Sequence, residues 1–177
     1  MTAEPVLRVL QSLGAGYALI GGHAVALRGF PRATIDIDFL TTAPQVLDAT
    51  TWQDLVANGS LVECRRGGAD DPLAGVTSIE LGDGTVVDVI LARWKWEGEV
   101  IERAEMLPFG PTRVPVPLTS DLILLKLAAG GSLDLRDAAA LLAINDRQAL
   151  IREVESRVPE VRPDITAAWN EVLAIEL

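Results

Sequence analysis

Cysteine, histidine and lysine are almost missing from this 177-residue chain: one Cys, one His and two Lys, with aromatic residues at only 5%. The single thiol, Cys64, excludes an internal disulfide, fits a reducing cytosol and reads as an ordinary structural cysteine. Without a His/Cys cluster, a zinc site is not expected. No apolar run approaches the roughly 18 residues of a membrane span, and the opening residues show no charged-then-apolar export signal, so a cytoplasmic protein without membrane contact is expected. Internal repeats and low-complexity segments are absent. Basic residues number 15 against 25 acidic ones, a net charge of −10. That balance argues against a broad electrostatic nucleic-acid surface and leaves room only for a local basic groove. What remains is 49% hydrophobic and 23% charged, an ordinary globular composition in a chain long enough to bury a core.

The most informative stretch runs from Gly21 to Leu40. Tyr17 to Ile20 forms a short apolar strand that enters Gly21-Gly22, where the backbone can approach a ligand closely and the next helix offers free N–H groups to an anion. A second strand follows in Ile35-Asp36-Ile37-Asp38-Phe39. Its alternation sends Asp36 and Asp38 to one face while Ile35, Ile37 and Phe39 bury the other. Two carboxylates about 7 Å apart on one strand face can converge on a divalent ion. Further along, Asp88 stands alone inside Val86-Val87-Asp88-Val89-Ile90-Leu91. A buried lone acid costs several kcal/mol unless paired or metal-bound, about 2–7 kcal/mol for a neutral polar group and more for a charge. Oxygen-only ligation points to Mg²⁺ or Mn²⁺.

The rest of the chain reads as α+β: a small mixed, twisted sheet with packed helices and a helical C-terminal portion. A helix is expected over 4–13 and another from about Pro44 to Ala57, ended by Asn58-Gly59. Leu61 to Cys64 is a strand, and Gly82-Asp83-Gly84 joins two more as a hairpin. Arg93 to Glu105 reads as a solvent-facing helix or linker, with Trp94 and Trp96 as core or rim packing. Met106 to Pro117 reads as an extended, proline-rich crossover. Helices then follow from Asp121, capped by Thr119 or Ser120, from near Asp134, over 147–157 and over 163–175. The expected division is a core over 1–117 and a helical portion over 118–177 packed on it.

The combination of a glycine pair, short helix and Asp-x-Asp, with a third acid on a later strand, resembles the DNA polymerase beta-type nucleotidyltransferase superfamily. Within it, Gly-Gly-His-Ala-Val…Arg-Ala-Thr-x-Asp-Ile-Asp is similar to the minimal bacterial AbiEii-type nucleotidyltransferases. The resemblance implies transfer of a nucleoside monophosphate from an NTP to a hydroxyl. Asp36 and Asp38 would bind the metal holding the triphosphate and, with Asp88, a second metal acting on the acceptor. Gly21 and Gly22 would cradle the beta and gamma phosphates. Many relatives carry serine where this chain has Gly22, and His-Gly where it has Arg28-Gly29. The resemblance also admits a toxin–antitoxin pair with an antitoxin-like partner, or a non-catalytic nucleotide- or partner-binding member of the fold.

Four more residues join the candidate site with alternatives open. His23 is either a phosphate contact or a solvated residue at the helix start. Arg32 either clamps phosphate or, with Thr34, pairs nearby acids and orders the loop. Lys126, the lone cation in an apolar helical run, either faces the nucleotide or pairs with Asp134 or Asp137. Those two acids read as first-turn residues favoured by the helix dipole. For the acceptor, RNA or protein is expected over a small molecule, reached through a partner or a basic edge at Arg65-Arg66 and Arg93.

Overall fold

The computed structural model describes residues 3–69, 71–161 and 165–175. Helix α1 (Glu4–Ser12) leads to strand β1 (Tyr17–Ile20), helix α2 (Gly21–Leu27) and strand β2 (Ile37–Thr41). Two 3-10 turns, Pro44–Leu47 and Ala49–Trp52, precede α3 (Gln53–Ala57), β3 (Leu61–Arg66), β4 (Gly75–Glu80) and β5 (Val86–Leu91). Helix α4 (Lys95–Glu102) and the hairpin β6 (Glu105–Phe109) and β7 (Thr112–Val116) follow. The chain closes with α5 (Thr119–Ala129), α6 (Ser132–Ile144), α7 (Arg147–Val161) and α8 (Ile165–Ala174).

The main sheet has the order β1-β2-β5-β4-β3, with β2 and β5 parallel and the other neighbours antiparallel. This is the mixed α+β architecture expected. Alternation decides what each face does. Ile37, Phe39, Val87 and Val89 are fully buried in the main core with Leu10 of α1 and Trp52, each contributing about 1.5–3 kcal/mol. On the opposite face Ala18 and Leu40 pack with Ile101 of α4, flanked by Ile20, Ile90 and Leu125 of α5. Asp38 and Asp88 belong to that second face, which the helices cover only in part.

Several local expectations change. The strand starts at Ile37, not Ile35, and Ile35 is 76% exposed instead of buried. The segment 44–57 is no single helix: Asp48 is extended (φ −101°, ψ 120°). The carbonyl of Val46 there accepts from the Trp52 indole (2.8 Å) and the Thr77 hydroxyl (2.6 Å). Residues 93–105 contain a helix, α4, as one of the two readings has it, but it is not solvent-facing, because it buries Trp96, Val100 and Ile101. The crossover over 106–117 is the β6–β7 hairpin; Pro108 and Pro115 are tolerated since both strands have a free edge. Helix α5 begins at Thr119 behind Leu118, with no side-chain cap from Thr119 or Ser120. The helix start expected at 163 lies outside the described residues.

Candidate active site

One row across the sheet brings two of the candidate acids together. Ile20 is in register with Asp38, Asp38 with Asp88, Asp88 with Ser78, and Ser78 with Glu63. Residues in register on neighbouring strands share a face about 4.8 Å apart, so Asp38 and Asp88 are side by side. At that distance and an effective dielectric of 20 their charges repel by about 3 kcal/mol. Burial above all, then the charge of Asp88, holds the Asp38 carboxyl at about 6, with Asp36 adding and Lys126 and Arg32 opposing. Asp88 Oδ1 is buried without a hydrogen-bond partner among the described residues. Ser78 and Glu63 were not picked out by sequence reasoning; the signal, same-face register, exists only once the strands are paired.

Asp38 makes the stability of the fold depend on pH. Its folded pKa of about 6 exceeds the ordinary 3.8, so the folded state holds a proton that the unfolded chain releases. Stability from this group is full below about pH 4 and is lost as pH rises to about 6, a difference of roughly 3 kcal/mol before solvent screening. In chelator, wild-type stability relative to Asp38→Asn should therefore fall over that interval in urea titrations. A flat difference would show that Asp38 titrates normally.

The glycine turn sits hard against this row. Gly21 has φ +64°, and a Cβ there would stand 1.9 Å from Asp38 Oδ2. Gly21→Ala should displace the Asp38 carboxylate and lower Mg²⁺ affinity, with a backbone cost of about 1–2 kcal/mol. Calorimetry with Mg²⁺ checks it; unchanged affinity would remove Gly21 from the site. At Gly22 an added Cβ would meet Thr34 Cβ and Oγ1 at 2.8 Å and Arg32 Nη2 at 2.9 Å. The space a serine would occupy at 22 is already taken, and Thr34 brings a hydroxyl there.

The other candidates lie outside the carboxylate row, and Lys126 and Arg32 take the pairing alternative. Asp36 is exposed and precedes β2, near enough to act on Asp38 but outside the strand. His23 is neither solvated nor in the carboxylate row. Its ring packs edge-on against Phe109 (5.4 Å between centroids), in a cavity shared with Leu7 and the core-facing Ile37. Burial first, then the charge of Arg32, lowers its pKa, so the ring is neutral near pH 7. Lys126 is buried and pairs with Asp134 (2.7 Å) and Asp137 (3.0 Å). Asp137 is not a first-turn residue: it is 1% exposed, one turn into α6, and also pairs with Arg32 (2.9 Å). Arg28 holds the Pro117 and Val116 carbonyls and Glu105, fastening α2 to the hairpin.

A hard divalent cation fits the pair Asp38–Asp88. Two carboxylates, with the remaining positions left to water and phosphate oxygens, match how Mg²⁺ is ordinarily held. Among the described residues, no three His, Cys, Asp or Glu side chains are gathered around one point.

Solved structures with this arrangement of elements decide the fold. The antibiotic-resistance factor ANT(2'')-Ia in complex with adenylyl-2''-tobramycin superposes with TM-score 0.54 at 15% identity, covering 88% of this chain and 95% of that one. The lincosamide antibiotic adenylyltransferase LnuA, lincomycin-bound, gives 0.53 at 16%, covering 82% and 99%. An antigenic nucleotidyltransferase-like protein from Paracoccidioides brasiliensis gives 0.51 at 18%, covering 93% and 88%. The chain has the nucleotidyltransferase fold. No family model matches its sequence, and no curated protein matches at a significant level. In this nucleotidyltransferase fold the carboxylate row faces the partly covered side of the sheet. No described helix is long and apolar enough to cross a membrane.

Proposed function

We propose that this protein is a metal-dependent nucleotidyltransferase that moves a nucleoside monophosphate from an NTP to a hydroxyl. The observation that carries the reading is the in-register Asp38–Asp88 pair, whose repulsion and unpartnered oxygen are relieved by a divalent cation. Mg²⁺ or Mn²⁺, when bound, supplies Lewis acidity to the phosphate oxygens. Asp38 and Asp88 would hold it, while Asp36, exposed just ahead of β2, lies outside the pair. The turn at Gly21-Gly22, with Arg32 and Thr34, holds the departing phosphates by backbone N–H groups, guanidinium and hydroxyl. The acceptor oxygen forms a bond to the alpha-phosphorus, the bond to pyrophosphate breaks, and Asp88 takes the hydroxyl proton.

Incubation with labelled NTPs, Mg²⁺ and cell extract tests this reading: label should appear on an acceptor and disappear with chelator. One observation favours the alternative of a non-catalytic nucleotide-binding member. Lys126 is already neutralised by Asp134 and Asp137. Nucleotide binding without label on any acceptor would decide for that alternative.

A further inference from the structure

An apolar cleft adjoins the carboxylate row on the same sheet face. It has a volume of about 310 Å³ and is walled by Leu40, Ile90, Leu125, Trp94 and Trp96, with Ile20 at the row itself. Leu40 and Ile90 stand two residues beyond Asp38 and Asp88, about 7 Å further along their strands. Strand β1 runs antiparallel to β2, so the chain leaving Ile20 carries Gly21 and Gly22 past the opposite, N-terminal end of β2. Arg32 and Thr34 crowd Gly22 at that same end. The glycine turn and the cleft therefore flank the carboxylates from opposite sides.

In-line displacement gives this arrangement a direction. Attacking and leaving oxygens lie on opposite sides of the alpha-phosphorus. If pyrophosphate departs toward Gly21-Gly22, the acceptor oxygen arrives from the cleft. Among the described residues its lining holds one charged side chain, Glu97, whose Oε2 accepts from the backbone N–H groups of Arg93 (2.6 Å) and Trp94 (2.9 Å). No cation lines it. The neighbouring arginines are committed: Arg65 to Asp71, Arg66 to Asp48, and Arg93 to the carbonyls of Gly68, Ala69 and Leu73. A polynucleotide acceptor requires phosphate neutralisation, and the cleft offers none. Trp96 is 5% exposed, and its buried indole N–H has no partner among the described residues, a donor suited to a ligand oxygen. The volume falls at the lower end of the range for small-molecule sites, about 300–1,000 Å³.

We infer that this cleft is the acceptor site and takes a small, uncharged, largely apolar alcohol. This departs from the RNA or protein acceptor expected from the sequence, and it rests on the nucleotidyltransferase reading above. The balance is that of the proposed reaction: the alcohol oxygen bonds to the alpha-phosphorus, its proton passes to Asp88, and pyrophosphate leaves.

The test uses the full chain labelled with ¹⁵N at its tryptophan indoles. Naphthylmethanol, phenylethanol and menthol are titrated first alone and then with Mg²⁺ and each labelled NTP. At least one alcohol should shift the Trp94 and Trp96 indole signals, leave Trp52 and Trp169 unmoved, and acquire label. Ala128→Leu, which fills the cleft from α5, should weaken that alcohol at least about tenfold without weakening Mg²⁺–NTP binding. If no alcohol shifts Trp94 or Trp96, the acceptor assignment is wrong, while label transfer to another acceptor would still uphold the transferase reading. If NTP alone shifts both indoles, the cleft holds the nucleobase and the assignment is likewise overturned. Salt-sensitive tRNA binding that Ala128→Leu abolishes would also overturn it. Alcohol binding without label from any NTP overturns the transferase reading and, with it, the acceptor role.

Discussion

Asp38→Asn is expected to reduce nucleotidyl transfer by at least about 1,000-fold while the protein stays folded. Asp38 is the residue on which the site's electrostatics converge. It is in register with Asp88, packed against Gly21, and held at about pKa 6 by burial and like charge. An amide of the same shape fills the same space without ligating a hard cation. It also removes the repulsion with Asp88, so the metal-free variant should be more stable than wild type above about pH 6. Transfer assays and urea titrations with and without Mg²⁺ separate the two effects. A variant that unfolds, or that keeps full activity with Mg²⁺, would make Asp38 structural and end the site assignment.

Away from the site, Asp121→Ala should cost about 3–5 kcal/mol of stability. Asp121 is fully buried on α5. It accepts from Arg103 Nε (3.2 Å) and Nη2 (3.0 Å) at the end of α4, and pairs with Arg157 of α7. Truncation leaves two guanidinium groups facing one another across a buried space, which costs more than the attraction they lose. At about 2–4 °C per kcal/mol for a chain of this length, melting should fall by roughly 10 °C. Mg²⁺–nucleotide affinity measured well below the melting point should be unchanged, because Asp121 touches none of the carboxylate row. A loss under about 1 kcal/mol would show that the arginines find solvent instead.

Much of the site was legible in one dimension. A glycine pair after a short apolar strand marks a backbone turn wherever it is found, and period-two alternation predicts that Asp38 opposes its apolar neighbours. Both statements concern residues a few positions apart, where covalent geometry alone sets direction. The same rule failed at Ile35 and Asp36, because alternation does not say where pairing stops; β2 begins at Ile37. The segment 44–57 misled for a related reason. Its start and stop signals, Pro44 and Asn58-Gly59, are real, but the Trp52 indole and Thr77 hydroxyl claim the Val46 carbonyl, and no local pattern reveals a competitor 31 residues away.

By itself, then, the sequence determined an α+β chain, a glycine turn, and three candidate acids, of which Asp38 was correctly faced. Tertiary structure alone decided that Asp38 and Asp88 are neighbours, since strands separated by some fifty positions acquire their register from packing rather than from chain geometry. It alone decided that Lys126 is shared between Asp134 and Asp137, and that Gly22 has no room for a side chain. It also placed an apolar cleft, contributed by β1, β2, β5, α4 and α5, beside the acids. A cavity belongs to no segment: its walls come from side chains that meet only after the core has chosen one way to close.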